Sequence, residues 1–387
     1  MPQPHVTNAA ELCSSLSDPA IRDLFTERFV RSMEHYDRLV DAAAWRILAG
    51  LGALPDSEGL DIAEAVARAG AAPRAISVID FLFRKLADTG WLEKREGRFY
   101  PGPEAPGSPA EIGAILVEYE PGAAVGVELV NILVEEAPAF FSGEKTGEDI
   151  LFAVNRLPLW FRYFANSNPL YSINNALGAV VLGTHLPVAG AAVLEIGGGA
   201  GSAAEKALER LSLRIERYHF TELVPTFLRR GERAARAAAA GSATRVETGK
   251  LDMTRPWAEQ GIEAATYDAV YSVNCFHVAP DLEEVLRQAL AALRPGGWLV
   301  LSECVKPRDP FRAIYVDFIF EFLASFTKVS THPEKRPVHG FLSPAAWRAS
   351  LGSAGFGTVE VIPDVEELAE KFPNFFVAAV AAQKPLG

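Results

Sequence analysis

Three cysteines in 387 residues, Cys13, Cys275 and Cys304, stand too far apart for a disulfide framework or a zinc motif, so they read as reduced thiols. Long apolar runs are also missing. The best candidate, Leu177 to Ile196, is interrupted by His185 and Pro187 and ends in glycines, which excludes a membrane-spanning helix there. Basic charge is scarce: 37 Lys and Arg against 49 Asp and Glu leave a net charge of -12, which repels nucleic acid and anionic membranes. Met1-Pro2-Gln3-Pro4-His5 has neither the basic nor the apolar region of a leader, so the expected location is cytoplasmic.

The apolar content, 49%, is that of a globular protein, and the length predicts two domains, each with its own core. In residues 1 to 105 the pattern reads as three helical stretches followed by a hairpin, Gly90 to Arg95 and Arg98 to Tyr100, turned at Glu96-Gly97. That order is winged-helix-like. Residues 1 to 100 carry twelve Lys or Arg against fifteen Asp or Glu, the wrong balance for a phosphate-reading face. The expected role is dimerisation or one wall of a substrate pocket. Residues 106 to 185 read as helical, with an aromatic cluster at Leu159 to Phe164 and at Tyr171, either plain core or a lid that excludes water.

From Ala192 strands and helices alternate, with strands expected at 192–196, 216–221, 244–248, 268–273, 297–302, 357–362 and 375–382. Such alternation implies a largely parallel sheet with helices on both faces, and its ligands lie beyond the carboxyl ends of the strands. Ala192-Val193-Leu194-Glu195-Ile196 runs into Gly197, Gly198, Gly199, Ala200 and Gly201, and a helical pattern begins at once. Glycines let the backbone turn sharply and approach a ligand, and the helix start attracts anionic groups. The pyrophosphate-binding pattern wants a glycine at the sixth position, where Ser202 stands.

The loop spacing, with an acid in the strand, resembles motif I of class I S-adenosylmethionine (SAM) dependent methyltransferases. Glu222, about twenty residues on, is placed to accept from ribose hydroxyls, or else is a helix N-terminal charge. Asp252 is placed to accept from the adenine amino group with Met253 packed on the ring; the alternative is an exposed turn aspartate. The turn Arg294-Pro295-Gly296-Gly297 into an apolar strand extends the resemblance across 190 to 385. It implies an α/β fold: a Rossmann-like seven-stranded class I methyltransferase core at 186–387, an aromatic cap inserted at about 306–343, and a helical lid.

Phe220 to Leu228, Leu251-Asp252 with Glu259-Gln260-Gly261, and Asn274-Cys275-Phe276-His277 resemble the C-methyltransferase domains of polyketide synthases. That resemblance implies His277 and Glu303 as a catalytic pair acting on an acidic carbon, with Asn274 at the cofactor. Winged-helix O-methyltransferases place a histidine and a glutamate at the same two points, but their His-Asp-Trp is absent because Val278 comes after His277. A satisfied structural histidine is the plain alternative. Tyr163 is a candidate for orienting a substrate carbonyl. His332 and His339 could join His277 and Glu303 around a metal, although no metal-ligand spacing marks such a site, and none is expected. The expected cofactor is SAM, leaving as S-adenosylhomocysteine. The expected partner is a small-molecule acceptor, free or held as a thioester on a carrier protein, and a homodimer is compatible with the N-terminal module. O- or N-methylation of a phenol or amine and a SAM-responsive winged-helix regulator are the competing readings.

Overall fold

The computed structural model describes residues 8–372 and 375–387; Met1 to His5, the stretch that lacks the features of a leader, lie outside them. Two compact units are present. One comprises Thr26–Tyr163 and Phe311–Thr327 with residues near the N-terminus, the other Leu12–Phe25, Phe164–Pro310 and Lys328–Gly387. Among the described residues no helix is long and apolar enough to cross a membrane.

The helical unit is organised on Glu27–Gly50, whose start is fixed by Thr26 accepting from the Phe29 N–H at 3.2 Å. Met33, Tyr36, Leu39, Val40, Ala43 and Ile47 recur at three and four residues and are all buried on its inner face. Ile62–Ala69 begins with the Asp61/Glu64 capping box and stops at the left-handed Gly70. Ile76–Asp88 comes next, then strands β1 (Leu92–Arg95) and β2 (Arg98–Pro101), an antiparallel ribbon. Under this arrangement Lys85 is 1% exposed and pairs with Asp37 at 2.9 Å and with Asp41, which also accepts from the Trp91 indole at 3.0 Å.

The aromatic segment expected to cap a substrate packs within the helical unit. Tyr315 packs on Tyr36, Phe318 on Phe81 and Phe322 on Phe140, with centroids 5.5, 6.4 and 4.7 Å apart, so these rings complete the core of the helical unit. Of the N-terminal domain expected at 1–105 and the helical linker or lid expected at 106–185, residues 26–163 share that unit and 164–185 go with the sheet; the insertion expected at about 306–343 divides, 311–327 here and the rest with the sheet.

In the other unit, β3 (Ala191–Glu195), β4 (Ile215–Glu222), β5 (Arg245–Lys250), β6 (Tyr267–Val273), β7 (Leu293–Cys304), β8 (Val359–Ile362) and β9 (Val377–Gln383) form one sheet in the order β5-β4-β3-β6-β7-β9-β8. Pairs from β5 to β7 are parallel, and β9 runs antiparallel to both β7 and β8. Each expected strand is present within a few residues. The order reverses at β3, so the ends of β3, β4 and β6 open a crevice there. Helix Pro169–His185, expected in the lid segment, instead packs on this sheet. Gly178 makes that possible, since a Cβ there would lie 2.7 Å from the Tyr271 hydroxyl.

Candidate active site

Both neighbours of β3 hold the loop that leaves it. The Thr221 hydroxyl donates to the Glu195 carbonyl at 2.6 Å and the Ser272 hydroxyl to that of Ile196 at 2.8 Å, while the Gly198 N–H donates to Thr221 at 2.9 Å. Gly197, Gly199 and Gly201 have positive φ, and Gly201 opens helix Ser202–Leu211. At Gly198 the need is space: a Cβ would lie 2.2 Å from the Phe220 ring. Nothing faces Gly199 within 4 Å, so the crest of the loop borders open space that a ligand can fill.

Two carboxyls flank this loop. Glu222 ends β4 and accepts from the Gly199 N–H at 2.9 Å and the Val224 N–H at 2.8 Å; burial raises its pKa and these bonds oppose the rise. Glu195 is fully buried. Its Oε2 accepts from the Tyr218 hydroxyl at 2.8 Å, its Oε1 has no partner, and burial pushes its pKa up to about 8. A cationic ligand group against Oε1 would satisfy that oxygen and favour the ionised form.

Asp252 lies just beyond β5 in a part-exposed turn. Its Oδ1 accepts from the Thr254 hydroxyl at 2.7 Å, the chief reason its pKa is lowered, and Gln260 brackets its backbone, accepting at 2.8 Å and donating at 2.9 Å. That explains the Gln260 of the motif: it fixes the turn that presents Asp252 and the half-buried Met253. Asn274, expected at the cofactor, has its side-chain oxygen committed to the Cys304 N–H at 2.9 Å and its backbone at φ 46°, a left-handed conformation that asparagine tolerates. It therefore also splices the end of β6 to β7.

The sheet register brings His277 and Glu303 together. Val273 pairs with Ser302, so the chain leaving β6 turns over Glu303, the next residue of β7. Glu303 is fully buried; its Oε1 accepts from the Cys275 and Phe276 N–H groups at 3.2 and 3.1 Å. Its Oε2 lies 2.7 Å from His277 Nδ1, and the imidazole, 3% exposed, packs on Phe341. An ionised carboxylate only accepts, so opposite one Nδ1 would carry the proton and leave Nε2 as the basic nitrogen.

Tyr163 was the candidate for orienting a substrate carbonyl. It lies in the helical unit, 2% exposed, among Trp160 and Phe320. The tyrosine beside the sheet site is Tyr171, on Pro169–His185. Burial raises its pKa well above the usual value, and Cys275, Glu303, Cys304 and Glu222 add to the rise. Asn174 and Asn175, fully buried on the same helix, each have a side-chain oxygen without a hydrogen-bond partner. Polar residues at three- and four-residue spacing in an otherwise apolar helix were the available signal. His332 sits in a turn, its Nδ1 accepting from the Glu334 N–H at 3.2 Å. Among the described residues no group of three or more His, Cys, Asp or Glu is placed to hold a metal.

Strand order, the glycine loop at the point of reversal and the acid ending the next strand are those of the class I methyltransferase fold. Residues 194–299 match the family model for a methyltransferase domain. The chain is 29% identical over 257 residues to the highly reducing polyketide synthase valA of Aspergillus terreus, covering 64% of this chain and 10% of that synthase. Among solved structures, the CurJ carbon methyltransferase aligns with a TM-score of 0.75 at 23% identity, covering 98% of this chain and 100% of that one. The trans-methyltransferase CalH, solved with S-adenosylhomocysteine, aligns at 0.61 and 22% identity over 90% of each chain.

Proposed function

We propose that this methyltransferase alkylates an acidic carbon of a small-molecule biosynthetic intermediate, with His277 as general base. The observation that carries the reading is the 2.7 Å contact between His277 Nδ1 and a fully buried carboxylate at the ends of two adjacent parallel strands. A carbon flanked by carbonyls keeps its proton at neutral pH, so methylation needs a base whose ordinary pKa lies near the working pH. His277 Nε2 takes that proton while Glu303 holds the tautomer and stabilises the imidazolium. That leaves on carbon the electron pair that methylation requires, and the methyl would pass to it from the cofactor, which would leave as S-adenosylhomocysteine.

The bound cofactor supplies that methyl on a sulfonium, which needs no further activation. Gly197 to Gly201 cradle it, Glu222 takes the ribose, and Asp252 with Met253 takes the adenine. Glu195 lies under the loop, and Asn274 has its amide nitrogen left to offer. Tyr171, on the helix that packs against the sheet, is the hydroxyl we place at the acceptor's carbonyl oxygen. The CurJ comparison supports the choice of carbon, and relatives among polyketide synthases support an acceptor of polyketide type, free or as a carrier-bound thioester.

The test is transfer of labelled methyl from SAM to a panel of β-keto thioesters, free β-keto acids, phenols and amines. Label on carbon in wild-type product, reduced at least about 100-fold in His277→Ala with SAM affinity retained, is the expected result. Label only on phenols or amines overturns the choice of carbon.

A further inference from the structure

The three-residue turn that carries His277, Phe276–Val278, is too short to hold itself in place: only Val278 and Ala279 donate back within it, at 3.2 and 3.0 Å. Glu303 ties its amino side through the Cys275 and Phe276 N–H groups. Its carboxyl side is tied by a residue far along the chain. Arg336, 2% exposed, donates through one terminal nitrogen to the Ala279 carbonyl at 2.5 Å and through the other to the carbonyl of His277 itself. Its Nε–H is buried without a partner, and no described carboxylate forms an ion pair with it; the charges of Asp281 and Glu303 act on it from farther away.

The segment that presents Arg336 is itself fastened around the turn. His332 and Arg336 exchange backbone hydrogen bonds at 2.8 and 2.9 Å, and the Ser330 N–H donates to the Pro280 carbonyl at 2.8 Å. Lys335 pairs with Glu283 at 2.7 Å, and its carbonyl accepts from the Ser350 hydroxyl at 2.9 Å. A guanidinium buried without a carboxylate against it is an expensive way to fill space, where an apolar side chain would fold at lower cost. What the guanidinium does that no apolar residue can is grip two carbonyls two residues apart with a rigid planar fork.

Resting on the proposed role of His277, we infer that Arg336 is a positioning residue for the reaction, holding the backbone of the base so that its ring meets the acceptor's proton at a fixed place. Its terminal nitrogens are spent on the two backbone carbonyls. It acts through His277 alone. A displacement of about 1 Å in a reacting group costs on the order of 100-fold in rate, so a loosened turn lowers kcat while cofactor binding is retained.

The experiment is a cycle of Arg336→Gln, His277→Ala and the double variant, with Arg336→Lys as the milder change. Arg336→Gln is expected to lower kcat by about 10- to 100-fold with the dissociation constant for SAM within about threefold of wild type. Arg336→Lys recovers part of the loss, and Arg336→Gln costs less than about threefold once His277 is alanine. Equal losses in both backgrounds, or none in wild type, overturn the proposal. A second readout needs no acceptor. With 15N-labelled histidine, the ring signals of His277, identified by their absence in His277→Ala, are expected to broaden or split in Arg336→Gln and Arg336→Lys. Unchanged signals in both overturn the positioning role; wild-type protein that methylates no carbon acid while those signals do respond overturns the proposed function instead.

Discussion

Replacing Glu303 by glutamine keeps the side chain's size and removes its charge, and the hydrogen bonds around it dictate the consequence. The carboxylate accepts three: the Cys275 and Phe276 N–H groups on Oε1, and His277 on Oε2 at 2.7 Å. Glutamine has one acceptor oxygen. Turned toward the two N–H groups, it presents its own NH2 to His277 Nδ1, which must then give up its proton and accept. Turned the other way, it faces two buried N–H donors with a third, at about 1 to 3 kcal/mol for each group left unmade. The first orientation is cheaper, and it moves the ring proton to Nε2, where the base was. The variant therefore folds, with a loss of about 1 to 3 kcal/mol, but gives up most of the general-base contribution, about 10² to 10⁴ in rate, or about 3 to 5 kcal/mol of barrier. Single-turnover transfer of labelled methyl at saturating SAM reads the rate, and titration calorimetry reads cofactor affinity, expected within about threefold of wild type. A Glu303→Gln enzyme turning over within about threefold of wild type would refute both the tautomer argument and the assignment of the base.

Gly198→Ala sets a methyl 2.2 Å from the buried Phe220 ring, so the loop must shift; SAM affinity measured by calorimetry should fall at least about tenfold. Glu195, with its pKa raised to about 8, favours the folded state only while protonated, so its stabilisation is complete below the ordinary carboxylate value and is lost as pH rises toward 8. Without cofactor, urea unfolding at pH 5 and pH 8.5 should show wild type losing several kcal/mol more than Glu195→Gln. In the helical unit, Lys85→Met strands Asp37 and Asp41 beside each other and should cost about 3 to 5 kcal/mol in urea unfolding, most of it recovered by adding Asp41→Leu. Phe322→Ala, which empties a core position between Phe140 and Phe318, should cost about 3 to 5 kcal/mol in the same assay.

How far apart interacting residues lie along the chain decides which of them the sequence made legible. The sheet was readable because each strand carries its own signal: a β-branched apolar run, a turn, then a helical period, with β3 to β9 falling near the expected bounds. The glycine loop and Glu222 were readable because a parallel sheet places successive strand ends side by side, so sequence order predicts neighbours. The same rule brought His277 to Glu303 across β6 and β7. The rule fails for elements outside the alternation. An aromatic run reads as apolar whether it lines a pocket or a core, and only tertiary partners such as Tyr36 and Phe140 assigned 311–327 to the helical unit. Tyr163 and Tyr171 sit in the same aromatic stretch and look alike; helix Pro169–His185 packs on the sheet and carries Tyr171 with it, whereas Tyr163 stays in the other unit. Asn274 stands at the end of β6, and its oxygen is spent on the Cys304 N–H, a bond no spacing announces. Arg336 is the extreme case. In sequence it is one cation in Glu334-Lys335-Arg336-Pro337, indistinguishable from a solvated turn, and its meaning comes from two carbonyls nearly sixty residues upstream. A chain can advertise the groups that do chemistry through local pattern, while those that hold them still are set by contacts that form only once the strands are in register.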